Sequence, residues 1–217
     1  MQVKLVSITE PKISSSTMTA EELIVYCARV SNPENQLNTE TAPKLIKYLI
    51  DHKHWSPMEM VSMCIEIKTS RAIAAQILRH RSFSFQEFSQ RYSTATRLEQ
   101  IELRKQGETN RQVGDVPLNF AKNIEIFDKI KKLQDQTLDL YEELISQNVA
   151  KECARMILPL NTSTTLYMSG NIRSWIHYLE IRTNQDTQKE HRFIALAIKK
   201  IFAQNFPHIS SALDWLP

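Results

Sequence analysis

Cations, hydroxyls and aromatic rings crowd into one short run: Arg79-His80-Arg81-Ser82-Phe83-Ser84-Phe85-Gln86-Glu87-Phe88-Ser89-Gln90-Arg91-Tyr92-Ser93. Neighbouring cations repel unless anions sit among them, and Glu87 is the run's only carboxylate. A bound anion is therefore a natural complement, and guanidinium forks hold phosphate bidentately. The rings at 83, 85, 88 and 92 could flank a planar ligand or pack into a core. Taken alone, the run also describes a solvated, salt-bridged face.

Three other groups carry polar chemistry. Glu152-Cys153-Ala154-Arg155-Met156-Ile157-Leu158-Pro159 sets Arg155 among apolar neighbours, with Glu152 three residues back as an available partner. In Asn171–Arg182, Arg173 and His177 lie four apart on one helix face, Ile172, Trp175, Ile176 and Leu179 make the apolar stripe, and Arg182 closes the helix. His52-Lys53-His54-Trp55-Ser56-Pro57-Met58-Glu59 holds two histidines at i, i+2 but no third ligand, and H-E-x-x-H is absent, so no metal site is expected.

The glycines limit how a phosphate could be held. The chain has three in 217 residues, Gly107, Gly114 and Gly170. Neither a dinucleotide fingerprint nor a Walker A loop can be written with them. A phosphate ligand falls to side chains or to an ordinary helix N-terminus. A net charge of +3 is too mild to argue for nucleic acid by itself. Three scattered cysteines, with no C-x-x-C, read as reduced thiols of a cytoplasmic protein. No signal peptide and no membrane span is expected.

The elements that must position these residues follow from periodicity. Residues 2–8 alternate, with a phase slip between Leu5 and Val6, and read as a strand. Thr19 starts a helix running to about Val30, and a second helix begins near Thr41. Residues 60–68 are the clearest strand, with Val61, Met63, Ile65 and Ile67 on one face and Ser62, Cys64, Glu66 and Lys68 on the other. A helix is expected from Ser70 to about His80. Residues 99–118 read as a surface insertion with some helix. A long helix over 119–148 is expected to show Phe120, Ile124, Phe127, Leu133, Leu140 and Leu144. A short helix over 149–158, a strand over 162–169 and helices over 171–181 and 187–202 complete the order, with Gly170 read as the turn into the first of that pair. This predicts an α+β fold, a small mostly antiparallel sheet packed with several helices and no Rossmann domain, as one catalytic domain over 1–217.

In this order the motifs resemble the flavin-dependent thymidylate synthases. Arg79-His80-Arg81, seven residues and then Ser89, with Glu87 and Arg91-Tyr92 alongside, looks like that family's signature. The resemblance extends to His54-x-Ser56-Pro57-x-Glu59, Ala154-Arg155-x-x-Leu158-Pro159, Asn171-x-Arg173, and Arg182 followed by Gln188-x-Glu190. It covers roughly residues 1–98 and 119–202. Gln86 stands where many members have Asn, and Asp186 where some place a flavin-contacting His.

The resemblance implies transfer of a methylene group from methylenetetrahydrofolate to carbon 5 of dUMP, with FAD reduced by NADPH as the hydride source. It implies that Arg79, His80 and Arg81 meet the flavin, and that Ser56, Asn171, Arg173 and His177 complete its site, with His54 and Glu87 nearby. Gln76, Arg79, Glu87, Ser89, Gln90, Arg91 and Arg155 would hold dUMP. Arg182 would sit at the pyrimidine as the catalytic residue. Homotetramers with sites shared between subunits are implied too. Two rivals remain at this point: a single-stranded nucleic-acid-binding module built on the Arg and aromatic run, and a folate-only thymidylate synthase using a cysteine nucleophile.

Overall fold

The strand over residues 60–68 is the centre of the structure. In the computed structural model, which describes residues 1–13, 18–94 and 97–215, it forms β2 (Ser62–Ser70). Its alternation is satisfied directly: Met63, Ile65, Ile67 and Thr69 are buried, while Ser62 and Lys68 face water. β1 (Gln2–Ile8) pairs with it on one side and β6 (Ser163–Asn171) on the other, and β3 (Ser84–Glu87) pairs with β6. The sheet order is β1-β2-β6-β3 with every pair antiparallel. Parallel βαβ units, and with them a Rossmann arrangement, are excluded for this sheet.

The phase slip in β1 has a physical form. Leu5 pairs with Ile65 and Ser7 with Cys64, so Val6 is an extra residue in a bulge, turned out to solvent. Helices cover the other, apolar face of the sheet. α3 (Arg71–Ile77) starts at Ser70, whose hydroxyl caps Ile73, and packs on β2 and β6. α6 (Ile172–Arg182) starts at Asn171, whose side chain accepts from the Ser174 N–H. Its expected stripe is buried, and the Trp175 indole donates to the Met63 carbonyl at 3.0 Å. α7 (Lys189–Asn205) lies across β1 and α6. α1 (Ala20–Ala28), with its Thr19–Glu22 capping box, and α2 (Ala42–Asp51) complete this side.

Several expectations need correcting. Residues 99–118 contain no helix: they form a hairpin of β4 (Arg104–Gln106) and β5 (Gly114–Pro117). It closes where the Gly107 N–H donates to the Val113 carbonyl, and a Cβ at 107 would meet two backbone oxygens at 2.7 Å. The helix expected to reach His80 stops at Ile77, and the long helix begins at Ile124 rather than Asn119. In that helix, α4 (Ile124–Ser146), only Tyr141 is buried. Phe127 and Leu144 are half-buried, but Leu133 is 64% exposed and Leu140 47%, so that part of the apolar stripe lies open to solvent. The short helix over 149–158 is α5 (Lys151–Ala154) followed by a 3-10 turn at Arg155–Ile157. A last helix, α8 (Pro207–Ala212), was not expected, although Pro207 opens it. The buried Glu21 carboxylate accepts the backbone N–H groups of His208 and Ile209 at its start.

Gly170 is not a turn. It sits inside β6, paired with Met63, and a Cβ there would lie 2.5 Å from the Phe83 ring. That ring packs edge-on against Trp175 (4.7 Å) and Tyr178 (5.9 Å). Gly170→Ala must displace Phe83, and overpacking of this kind costs about 1–3 kcal/mol. Urea unfolding of the variant should show that loss, and an unchanged midpoint would refute the close packing.

Candidate active site

Helix α3 ends two residues before Arg79, and the chain then turns so that Phe83 anchors it to the sheet. This brings His80 onto α6. The Arg182 guanidinium donates through Nε to His80 Nε2 at 2.9 Å. A guanidinium only donates, so His80 Nε2 must carry a lone pair and its proton must be on Nδ1. Burial, then the Arg182 charge, then His177 push the His80 pKa down to about 4. His80 is therefore neutral near pH 7. With Nε committed to His80, both terminal nitrogens of Arg182 can face a ligand.

A second neutral histidine lies behind the first. His191 of α7 is fully buried, and burial, then Arg182, then His80 push its pKa down to about 3. Its Nε2 meets the Tyr178 hydroxyl at 3.1 Å and its Nδ1 meets Gln76 Oε1 at 3.3 Å. Burial raises the pKa of the Tyr178 hydroxyl, which stays protonated. Gln76 Nε2 donates to Gln188 Oε1 at 2.6 Å, and Gln188 Nε2 donates to Glu190 Oε2 at 2.9 Å. Arg104 of the hairpin donates to Glu190 Oε1 at 2.6 Å. Burial tends to raise the Glu190 pKa. The Arg104 hydrogen bond, the backbone N–H, Gln188 and the Arg104 charge outweigh it and hold the pKa below the usual carboxylate range.

Two hollows hold residues of the sequence motifs. One, of about 710 Å³, is lined by Lys53, Trp55, Ser82, Arg173 and His177 among others. The positive φ of Lys53 (56°) makes the bend after α2 that directs 53 and 55 to it. Arg173 there pairs with Glu59, joining the Ser56-Pro57-x-Glu59 and Asn171-x-Arg173 motifs. Asn171 lines the same hollow while its carbonyl oxygen caps α6. Ser56 is exposed at the start of a 3-10 turn (Ser56–Met60). His54 is exposed in a ring cluster with Tyr48 and His52, beside that hollow in sequence but outside its lining.

The other hollow, about 390 Å³, is lined by Gln86, Glu87, Phe88, Ser89, Tyr92 and Ser93, with Thr165 and Tyr167 of β6. Glu87 is held by Arg71 at 3.2 Å and Thr164 at 2.8 Å. Gln90 is buried, and Arg91 pairs with Glu152 at 3.1 Å, which takes from Arg155 the partner its helix offers. The Arg155 Nε is buried with no hydrogen-bond partner among the described residues. Arg79 and Arg81 are exposed. β3 lies between the two hollows: its four extended residues, at about 3.3 Å per step, span about 10 Å from Ser84 to Glu87, with Ser82 before it and Ser89 after it.

The structure thus gathers His80, Arg182 and Gln76 at one centre, Arg173, His177 and Asn171 at one hollow, and Glu87 and Ser89 at the other. Asp186 lines neither hollow and accepts from Asn110 of the hairpin at 3.4 Å. Tyr178, His191, Arg104 and Arg71 were missed. Gln76 and Gln188-x-Glu190 were the sequence traces of the buried chain, which joins residues up to 115 positions apart. No group of three or more His, Cys, Asp or Glu suited to a metal occurs among the described residues.

The rivals lose ground here. Phe83 is buried and Phe85 half-buried, so the rings do not form one exposed stacking strip. All three cysteines are free, and burial raises the pKa of Cys27 and Cys64, the opposite of what a thiolate nucleophile requires. Among the described residues, no helix is long and apolar enough to cross a membrane.

Comparison with known proteins agrees with the motif order. The family described as thymidylate synthase complementing protein matches residues 12–208. A probable flavin-dependent thymidylate synthase of Paramecium bursaria Chlorella virus 1 is 51% identical, covering 100% of both chains. A flavin-dependent thymidylate synthase of Synechocystis is 50% identical over 99% of this chain and 100% of its own. Among solved structures, a UMP/dUMP methylase, PolB, from Streptomyces cacaoi, bound with 5-Br dUMP, superposes with a TM-score of 0.79 at 25% identity, covering 98% of this chain and 94% of that one. With its signature run folded around a neutral His80 and a charged Arg182, the chain belongs to the flavin-dependent thymidylate synthases.

Proposed function

We propose that this enzyme converts dUMP to dTMP, taking the one-carbon unit from methylenetetrahydrofolate and using FAD reduced by NADPH. The bound flavin supplies the hydride. The observation that carries the reading is the Arg182–His80 pair: a permanent cation set against two neutral histidines, with its two terminal nitrogens available.

Arg182 would face the pyrimidine. Its charge stabilises negative charge spreading over the uracil as N3 ionises, and its fixed position means little reorganisation is needed. The neutrality of His80 and His191 keeps competing cations away from that ring. In the smaller hollow, Glu87, Ser89, Gln90 and Arg91 would hold dUMP, with Gln76, Arg79 and Arg155. The unpartnered buried Nε of Arg155 fits a cation meant for a phosphate. The larger hollow fits a flavin nucleotide. Trp55 offers a ring face, Lys53 and Arg173 offer charge, and Asn171 and His177 line it; the family pattern adds Ser56, His54, Arg79, His80, Arg81 and Glu87 as flavin contacts.

A single copy keeps these hollows at opposite ends of β3, yet the reaction needs flavin and nucleotide in contact. We read this with the exposed part of the α4 stripe as support for a homotetramer whose sites are completed between subunits. Residues 1–217 then act as one catalytic domain in the cytoplasm on small molecules, without nucleic acid or membrane.

Purified protein should carry flavin absorbance that NADPH bleaches, and should form dTMP from dUMP only with methylenetetrahydrofolate; absence of flavin even after adding FAD would sink the reading. Arg182→Ala should lose at least about a hundredfold in turnover, the scale of losing one preorganised charge, while flavin content is retained. Light scattering should give about four times the 25.2 kDa chain mass, and Leu133→Glu should shift the mass downward.

The histidines also set a pH signature. Both have folded pKa values, about 4 and about 3, below the ordinary 6.5. The unfolded chain therefore binds more protons in that window, and stability present above about pH 6.5 is lost as pH falls toward 4 and 3. Denaturation across this range should show a shallower pH dependence for His191→Gln than for the parent, and equal slopes would refute buried neutrality.

A further inference from the structure

The chain from the hairpin to His191 can run in only one direction. A carboxylate accepts hydrogen bonds and donates none, so Gln188 must present its NH2 to Glu190 and its carbonyl to Gln76. Gln76 must then give an N–H to Gln188 and turn its own carbonyl to His191. His191 Nδ1 must therefore carry the ring proton. Nε2 is left as the acceptor for the Tyr178 hydroxyl, whose ring lies beside that of His80 at 4.8 Å. Reversing Gln188 would set its amide oxygen against the Glu190 carboxylate, and reversing Gln76 alone would set the two amide oxygens against each other.

We infer that Glu190, clamped by Arg104, is a positioning residue: as the obligate acceptor it fixes the amide orientation of Gln76 and the tautomer of His191. Neither Arg104 nor Glu190 needs to touch a reacting atom for this. The effect reaches the nucleotide through Gln76. In the enforced orientation one Gln76 N–H serves Gln188 and the second remains a donor, which an anionic ligand requires. A reversed Gln76 would offer it a carbonyl oxygen instead. This last link rests on the proposed role of Gln76 in holding dUMP.

The tautomer can be read without substrate. In protein labelled with 15N-histidine, with His191 assigned by its loss in His191→Gln, long-range proton–nitrogen correlation should place the proton on Nδ1. In Glu190→Gln, where the end group can donate as well as accept, His191 should populate both tautomers. The KM for dUMP should rise about tenfold, the scale of one lost hydrogen bond to a charged ligand, with kcat little changed. Glu190→Asp, which keeps the charge, should keep the Nδ1 tautomer. Gln188→Met breaks the chain but leaves the Arg104–Glu190 pair, so it tests the same point if Glu190→Gln fails to fold. A proton on Nε2 in the parent, or one fixed on Nδ1 in both Glu190→Gln and Gln188→Met, overturns the inference. A lost tautomer with unchanged KM overturns the link through Gln76. A parent inactive on dUMP with the expected tautomer overturns the proposed function alone.

Discussion

Phe83 lies where a side chain at position 170 would be, with Trp175 and Tyr178 against its ring. This contact joins the polar run to the sheet. Once Phe83 is seated, the residues before it are turned onto α6, where His80 meets Arg182, and the residues after it enter β3 and pair with β6. One ring therefore sets the direction of the segment on both sides. The absence of a Cβ at 170 makes room for it, a steric use of glycine that needs no unusual backbone angle.

Around that anchor the electrostatics are one-sided. Arg182 keeps its charge, whereas the imidazoles nearest to it have lost theirs to burial and to its presence. A lysine could deprotonate under the same pressure, and it would lack the fork that binds His80 with one nitrogen while leaving two others outward. The compensating anions are kept at a distance. Glu190 is tied to Arg104, Glu87 to Arg71 and Glu59 to Arg173.

Legibility in the sequence tracked the range of the interaction. The alternation of β2, the slip in β1 and the stripe of α6 are local patterns, and each became a strand face, a bulge or a buried surface. The caps at Thr19 and Ser70 are three-residue features and equally readable. The hairpin over 104–117 was not, because its strands are short and its fixation comes from ion pairs with Glu190 and between Glu102 and Lys189, far along the chain. α8 escaped for the same reason: its N-terminal N–H groups are satisfied by Glu21, nearly the whole chain away. The polar run and the arginines were visible as types. The buried histidine behind them was not, since nothing beside His191 in sequence distinguishes it from any helical histidine.

Helix α4 illustrates a different dependence. Twenty-three residues long, it has Tyr141 as its only fully buried side chain and leaves Leu133 and Leu140 exposed. Helices in water owe most of their stability to packing of an apolar face. A cover over Leu133 and Leu140 would add to this helix's stability. If the cover is another copy, that contribution obeys mass action. The order of α4, and of α5 and Arg155 just beyond it, then varies with how much protein the cell makes, so that expression level becomes part of the folding equilibrium.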